Sequence, residues 1–264
     1  MSVDYAKYRR IAVAREGRLL TLTLNRPEVL NAVDELMQKE LAQIFYDVNL
    51  DEECDVVVLQ GAGKAFSAGG DIHWLGESSS RGTPPSTVDG KRVVSGLLDC
   101  EKPLIAKLRG SCVGLGATVA LFCDIIVAAE GTRIGDPHVK VGIVAGDGGA
   151  VIWPQLIGFA KAKELLMTGD LVDAREAERI GLVNYCVPEA ELDAKVAALA
   201  AKLLAGATQA IRFTKVAMNI HLKQIASAVM DASVAYETMT FFTKDHHEAV
   251  KAFQEKRKPR FTGR

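Results

Sequence analysis

Apolar positions in the first half of the chain come in short runs, and each run ends in a turn rich in glycine or proline. The runs at residues 18–24, 56–59, 104–108 and 125–128 are compact enough to predict buried strands. Asn25, Arg26 and Pro27 end the first run. Glycine-rich turns follow the other three, at residues 61–70, 110–116 and 131–149. This repetition of strand and turn predicts an α/β fold.

Helical periodicity begins after the first run and dominates the last third of the chain. From Val33 the apolar residues recur at helical spacing, and Asn31 is the predicted cap. Further helices are predicted at residues 116–122, 160–167, 174–180, 189–204 and 208–221. Between residues 76 and 90 the composition shifts to Ser, Thr, Pro and Gly, which predicts a mobile surface loop.

Composition and charge exclude several classes of protein. The chain has 264 residues, enough for one large domain or a core with a small appendage. Lysine plus arginine (32) nearly balance aspartate plus glutamate (33), so no global field attracts nucleic acid or an anionic membrane. The N-terminus lacks an apolar signal segment, and no run of about 18 apolar residues suggests a membrane span. We therefore expect a cytoplasmic protein.

The cysteines indicate a reducing compartment. They are odd in number and include no CxxC pair, which argues against a disulfide framework or a zinc site and predicts buried thiols. They lie at Cys54, Cys100, Cys112, Cys123 and Cys186.

Two common glycine motifs do not fit the glycine turns. The segment from Gly61 to Lys64 lacks the four-residue gap and the Ser or Thr of a phosphate-binding P-loop. The segment from Gly114 places Val119 where a dinucleotide fingerprint needs its third glycine. The turns therefore serve another purpose.

Four segments, in this order and spacing, resemble the enoyl-CoA hydratase/isomerase (crotonase) superfamily. They are LTLNRPEVLNAV at 22–33, GAGKAFSAGGDI at 61–72, GSCVGLGATVALFCDIIVAA at 110–129 and DHHEAVKAFQEKRKPRFTGR at 245–264. The resemblance implies an α/β, crotonase-like spiral of repeated ββα units with a helical C-terminal trimerisation region. Residues 1–195 would form the spiral core with the active site, and residues 196–264 the oligomerisation region of a homotrimer or of a hexamer built as a dimer of trimers.

The resemblance also implies an oxyanion hole made by two backbone N–H groups. One maps to Gly70, where the small residues around Ala68 let a substrate reach the backbone. The other maps to Leu115, at the start of a predicted helix whose N-terminus favours negative charge. Glycine is commoner in the family at this position, but the N–H survives the change to leucine. The alternative is that both turns merely pack tightly.

Coenzyme A is expected as part of the substrate, with no tightly bound cofactor and no metal. By resemblance the residues that contact it are Arg26, Lys64, Ala65 and Ala68 near the first turns, with Phe253 and Lys256 from the tail of a neighbouring subunit. Basic side chains suit its phosphates, and an aromatic ring can stack on adenine. The alternative is that the basic C-terminal segment is an ordinary solvated end.

The two glutamates that position water in crotonase-type hydratases are missing. Alignment of the turns places Thr118 at the first position and His138 at the second. A threonine hydroxyl cannot act as a general base, although it can orient a water or a substrate oxygen. Histidine, with an unperturbed pKa of about 6.5, can act as acid or base. Asp147 follows in the next glycine turn, where it could orient the imidazole.

The loop at 137–154 is similar to that of oxocamphor hydrolase, a crotonase relative that cleaves a cyclic β-diketone by a retro-Claisen reaction. The matching histidine and aspartate are catalytic in that relative, which implies a catalytic dyad of His138 and Asp147. Glu237 is a candidate third carboxylate, or an ordinary solvated glutamate. The other histidines are predicted to be surface or packing residues: His73, His221, His246 and His247.

Three functions remain open on the sequence. The first is an enzyme that acts on an acyl-CoA thioester or a related β-dicarbonyl through an enolate, with His138 and Asp147 as acid and base. The second is a conventional enoyl-CoA hydratase or isomerase that uses other groups. The third, of another class, is a non-catalytic acyl-CoA-binding protein. RNA binding, known in one branch of the superfamily, gains no support from the balanced charge.

Overall fold

The computed structural model describes residues 3–264, and its strands form two sheets over that range. The strands are β1 (Ile11–Glu16), β2 (Leu19–Leu24), β3 (Val56–Gly61), β4 (Leu104–Leu108), β5 (Ser111–Val113), β6 (Ile125–Ala129), β7 (Arg133–Gly135), β8 (Val172–Asp173) and β9 (Tyr185–Val187). The larger sheet has the order β1-β2-β3-β4-β6-β9, and the smaller one β5-β7-β8. In the larger sheet only β1 runs antiparallel to its neighbour. The predicted α/β fold is confirmed.

Helices connect the strands and make up most of the C-terminal part. They are α1 (Glu35–Leu50), α2 (Ile72–Arg81), α3 (Thr87–Asp99), α4 (Leu115–Leu121), α5 (Gly149–Thr168), α6 (Ala174–Arg179), α7 (Leu192–Leu204), α8 (Thr208–Phe241) and α9 (Lys244–Gln254). The helix predicted at 208–221 is longer than expected, with 34 residues in α8. Its C-terminal half therefore reaches back over the spiral core, where it meets the glycine turn before α5.

The larger sheet is buried on both faces, as parallel sheets usually are. On one face, Leu59 and Ala106 belong to the main core with α1 and α3. On the other face, Val58 and Ile105 pack against Val196 of α7. Because both faces are covered, the apolar runs of β3 and β4 are continuous rather than alternating. The sheet thus forms a rigid support whose carboxyl ends lead into the glycine turns.

The cap predicted for α1 is wrong. Asp34, not Asn31, caps the helix, since its carboxylate accepts the Met37 N–H. Asn31 is fully buried in a left-handed conformation, and its side-chain amide donates to the carbonyls of Ala62 and Ala65. It therefore ties the segment before α1 to the first glycine turn.

The predicted mobile loop at residues 76–90 is also wrong for most of its length. Helix α2 continues to Arg81 and α3 begins at Thr87, which leaves a connection of residues 82–86. The polar residues mark helix ends: Ser86 caps α3, and Gly82 ends α2 in a left-handed conformation. The segment is therefore an ordered helical wall beside the cavity described below.

The remaining expectations about organisation have mixed outcomes. The thiols are free, and those of Cys54, Cys100, Cys112 and Cys123 are buried while that of Cys186 is partly exposed. In the described range no single helix is long and apolar enough to cross a membrane, and the pair Glu189–Leu204 and Thr208–Phe241, bent by 105°, passes that test only when combined. The division between 1–195 and 196–264 stays a prediction; its boundary falls inside α7, and residues 1 and 2 lie outside the described residues.

Candidate active site

A cavity of about 140 Å³ lies where the two glycine turns, α2, the segment after β7 and α8 converge. Most of its wall is apolar or glycine backbone. Its ionisable side chains are His138, Asp147 and Glu237, and no lysine or arginine belongs to the wall within the described residues. The cavity therefore combines an apolar interior with a few groups able to move protons, which is typical of an enzyme site.

The two glycine turns form another part of the wall. Ala68, Gly70 and Leu115 all line the cavity. Among residues 3–264, neither the Gly70 nor the Leu115 backbone N–H has a protein acceptor. Leu115 is the first residue of α4, and its side chain joins the buried core. The two N–H groups predicted to form an oxyanion hole are therefore free at the wall of one cavity.

The turn before α5 brings Asp147 to the same cavity, and the adjacent glycines explain how. A Cβ on Gly146 would stand 2.6 Å from the Cβ of Glu237, and one on Gly149 would stand 2.3 Å from Oδ2 of Asp136. Any side chain at these positions would push the carboxylates apart. The glycines thus allow Asp147 to sit between Glu237 and Asp136.

His138 lies in a short 3-10 turn (His138–Val141), directly after Pro137. Its Nδ1 forms a hydrogen bond with Oδ1 of Asp136, and its Nε2 lies 3.6 Å from Oδ2 of Asp147. The Asp136 side chain is fully buried. The ring therefore has a carboxylate on each nitrogen. Sequence reasoning missed Asp136; a carboxylate two residues before a candidate histidine was the available signal.

Thr118 supports Asp147 rather than the cavity itself. Its hydroxyl donates to Oδ1 of Asp147 at 3.1 Å, and its side chain is fully buried in α4. The position that carries a glutamate in crotonase-type hydratases thus holds a neutral donor directed at another carboxylate. The geometry supports a role in orienting Asp147 rather than a water.

Burial and mutual charge shift the pKa values of the cavity groups. Burial alone would lower the pKa of His138, but the charges of Asp136 and Asp147 and the hydrogen bond to Asp136 raise it well above 6.5. Burial raises the pKa of Asp147, and His138 only partly opposes this. Burial and the charge of Asp147 raise the pKa of Glu237 to about 8. The cluster therefore retains protons at neutral pH.

The same cluster is the candidate for a metal site in the described part of the chain. Ligand atoms of Asp136, His138 and Asp147 lie within 4.8 Å of one another. However, each ring nitrogen faces its own carboxylate, so one ion could bind the ring only by displacing one of these partners. The arrangement favours proton sharing, and the absence of a metal stays a prediction.

The predicted coenzyme A residues do not gather at the cavity. Arg26 is largely buried; it donates to the Ala32 carbonyl and pairs with Asp71 at 3.0 Å and with Asp34 at 3.5 Å. Its charge is therefore used within the fold. Ala68 lines the cavity, whereas Ala65 is buried beneath the first glycine turn.

The other predicted coenzyme A residues are exposed. Lys64 is exposed on the first glycine turn, and Phe253, 56% exposed, and Lys256 lie at the exposed end of α9, away from the wall of this cavity. Their role in binding coenzyme A stays a prediction.

The structure also places Glu237, His246 and His247. Glu237 faces the cavity from α8 rather than solvent. His246 is buried against Phe241, and its Nδ1 donates to the Val141 carbonyl. His247 shares a hydrogen bond with Ser79. His246 is therefore a packing residue and His247 an exposed surface residue, as expected.

Comparisons with known proteins find relatives over nearly the whole chain. A family model described as enoyl-CoA hydratase/isomerase matches residues 14–264. The chain is 34% identical over 255 residues to a crotonyl-CoA hydratase of Syntrophomonas wolfei, covering 96% of this chain and 98% of that protein. It is 31% identical over 258 residues to a 2,3-dehydroadipyl-CoA hydratase of Escherichia coli, covering 96% and 99%. A crystal structure of an enoyl-CoA hydratase/isomerase from Mycobacterium paratuberculosis superposes with a TM-score of 0.87 at 36% identity, covering 92% and 97%.

Proposed function

The chain belongs to the enoyl-CoA hydratase/isomerase family of enzymes, with its crotonase-like fold, and we propose that its own reaction is hydrolytic cleavage of a carbon–carbon bond in a β-dicarbonyl. The substrate is a β-ketoacyl-CoA thioester or a related free diketone. One observation carries the proposal: an imidazole held between two carboxylates, at the wall of a cavity that also presents two free backbone N–H groups. The imidazole and carboxylates can transfer protons, and the N–H groups can stabilise a nearby developing oxyanion.

Water addition is the first step. The dyad of His138 and Asp147 accepts one proton from water, and the resulting hydroxide attacks the carbonyl carbon remote from the thioester. The negative charge moves to that carbonyl oxygen. Thr118 fixes the Asp147 carboxylate through its hydroxyl donor. Because the cavity is largely apolar, these interactions are stronger than they would be in water.

Bond cleavage is the second step. The tetrahedral intermediate collapses, the C–C bond breaks and its electron pair moves into an enolate whose oxygen accepts from the Gly70 and Leu115 N–H groups. One carbonyl leaves as a carboxylic acid, and the enolate carbon takes the proton that the dyad received from water. Two such donors are a large part of the catalytic power of oxyanion sites, roughly 3 kcal/mol each.

Conventional hydration of an enoyl-CoA is the second candidate. The relatives named as hydratases support it, and two carboxylates, Asp147 and Glu237, face the cavity where they could hold a water between them. Against it stands Thr118 at a position where hydratases carry a glutamate. The raised pKa of Glu237, about 8, leaves that group an acid rather than a base at neutral pH.

Trimeric assembly is part of the proposal. Large apolar side chains are exposed along α8, where a partner subunit would cover them. They are Phe213, Met218, Ile220, Tyr236 and Met239, with Phe242 directly after the end of the helix. The exposed positions of Phe253 and Lys256 on α9 are compatible with contact to coenzyme A on a neighbouring subunit. The cytoplasmic location rests on the sequence alone and stays a prediction.

The test is turnover by wild type, His138→Ala and Asp147→Asn on crotonyl-CoA, acetoacetyl-CoA and a cyclic 1,3-diketone, with chromatography of all products. We expect cleavage of a dicarbonyl by the wild type. Loss of the acid–base dyad should reduce it by roughly 10²- to 10⁴-fold. Lys140 pairs with Asp170 on the surface, so Asp170→Asn is the matched control and should keep wild-type turnover.

Other outcomes would assign other functions. Hydration of crotonyl-CoA that persists in His138→Ala would contradict the proposal and favour the hydratase. Tight binding of the thioesters without any product, in wild type and variants alike, would identify a non-catalytic acyl-CoA-binding protein.

A further inference from the structure

His138 is held more firmly by Asp136 than by its expected partner. The Nδ1 atom has a direct hydrogen bond to Asp136, whereas Nε2 stands 3.6 Å from Asp147, beyond hydrogen-bond length. Asp136 does not line the cavity, and its side chain is fully buried. It therefore cannot meet a substrate directly, and any effect it has on the reaction passes through the ring.

The surroundings of Asp136 offer its carboxylate few other interactions. Its Oδ2 atom is buried and has no hydrogen-bond partner among residues 3–264, and Gly149 supplies the space in which it sits. Leaving a carboxylate oxygen buried and unpaired is costly. A carboxylate kept there despite this cost points to its interaction with the imidazole, which a neutral side chain could not reproduce.

We propose that Asp136 is a positioning residue that anchors His138 through Nδ1–H and keeps the ring protonated. The Nε2–H group then faces Asp147, and the Asp147 carboxylate accepts the proton from water. The proton on Nε2 then goes to the enolate carbon. Asp147 returns the proton taken from water to the ring, so the cycle balances. The inference rests on the proposed function only for these chemical steps; the state of the resting ring is independent of them.

The charged groups around the ring agree with this order of events. Asp136 faces it from its own segment, Asp147 from the turn before α5 and Glu237 from α8. The wall made by Gly114 contributes backbone only, 3.7 Å from the ring at the position of a Cβ. Three carboxylates surround the ring, and the described wall of the cavity has no lysine or arginine, so the imidazole is the group there that can carry a compensating positive charge.

The first test reads the ring directly, without substrate. Ring-labelled histidine NMR of the full-length protein would follow the titration of His138, assigned by its loss in His138→Gln. In the wild type we expect the ring to stay protonated on both nitrogens through neutral pH. Asp136→Asn keeps an acceptor but removes the charge, and should lower the midpoint by about 1 to 3 pH units.

Two comparisons make the reading specific. Asp147→Asn should lower the midpoint less than Asp136→Asn, because Asp147 lies farther away and is not hydrogen-bonded to the ring. His246 is buried nearby and bonded to a backbone carbonyl. Its unchanged signal, together with an unchanged spectrum in Asp170→Asn, would show that the fold is intact. Equal midpoints in wild type and Asp136→Asn, or a larger effect of Asp147→Asn, would overturn the proposal.

The second test is the pH profile of kcat on the dicarbonyl that the wild type cleaves in the turnover experiment. The reaction requires the protonated ring, and Asp136→Asn should lower the pKa of that ring. The alkaline limb of the pH profile should therefore move to lower pH, while kcat at the optimum pH stays within about 10-fold of the wild type. An unmoved limb would overturn the role of Asp136 even if cleavage itself is established. Conversely, the predicted NMR shift in a protein that cleaves no dicarbonyl would retain the positioning role and reject the proposed reaction.

Discussion

The two halves of the cavity are built in different ways. The half proposed to bind an oxyanion consists of backbone N–H groups at Gly70 and Leu115, placed by strand ends and by the start of α4. The half proposed to move protons consists of side chains, His138 and Asp147, placed by loops and supported by groups behind the wall. The first half is fixed by the fold. The second can change with a few substitutions while the fold stays the same.

This difference explains how one fold serves several reactions. A backbone donor persists through a change of residue, as at Leu115, where the family more often has glycine. A side-chain acid or base does not persist: Thr118 and His138 occupy positions that carry glutamates in crotonase-type hydratases. Similarity to hydratases therefore establishes the family, while the proposed reaction depends on the side-chain half of the site.

Removing a backbone donor should break the first half alone, with the largest effect. Leu115 is the first residue of α4, where proline is well tolerated, so Leu115→Pro deletes the N–H with little cost to the helix. We expect kcat to fall by roughly 10²- to 10³-fold. The NMR titration of His138 should stay as in the wild type, because the proton-moving half is intact.

Leu115→Ala is the matched control for that variant. It removes the same apolar side chain from the core but keeps the N–H, so kcat should stay within a few-fold of the wild type while stability falls. If Leu115→Ala loses as much activity as Leu115→Pro, the side chain matters and the N–H does not. The oxyanion hole would then have to lie elsewhere.

The same contrast governs what sequence reasoning could predict. The strands and the glycine turns were predicted because short apolar runs and glycine clusters are local signals. The cap of α1 was misplaced from Asp34 to Asn31, since both residue types suit a cap and only the tertiary contacts of Asn31 decide between them. Loop 76–90 was misjudged because polar residues that cap helices resemble those of a loop.

For the site, sequence reasoning identified residues but not their partners. Asp147 and His138 do lie together, yet the ring is hydrogen-bonded to Asp136, which the sequence reasoning did not consider although it lies two residues before His138. Glu237 is about a hundred positions away along the chain, and only the length of α8 brings it to the cavity. Such pairings depend on how far a helix runs, which periodicity does not fix.

Neutralising Glu237 tests whether the side-chain half of the cavity has a low dielectric constant, and the measured quantity is protein stability rather than turnover. Its folded-state pKa of about 8 exceeds the ordinary 4.5, so its contribution to stability is present below pH 4.5 and is lost as the pH rises to 8. Glu237→Gln has no such loss. Its free energy of unfolding relative to the wild type should therefore rise with pH and level off above 8, by up to about 5 kcal/mol for the difference between the two pKa values.

Urea unfolding at several pH values between 4.5 and 9 would measure this difference. Glu164→Gln is the control, because Glu164 is 59% exposed in its side chain and paired only with Lys161 on the surface. It should show no trend with pH. A flat difference for Glu237→Gln as well would mean that the carboxylates of the cluster are hydrated, and that the side-chain half of the cavity is not the low-dielectric site described above.

The smallest expected effect on kcat is that of changing Thr118, which stands where crotonase-type hydratases have a glutamate. Thr118→Val preserves shape but removes the donor to Asp147, and a single net hydrogen bond corresponds to roughly a 3- to 10-fold loss of kcat. Since that bond lowers the pKa of Asp147, its loss should also move the acid limb of the pH profile to higher pH. Thr118→Ser keeps the donor and should restore both values. If Thr118→Val behaves like the wild type, Asp147 is held by its other contacts, and the hydroxyl belongs to the packing of α4 rather than to the proton-moving half of the site.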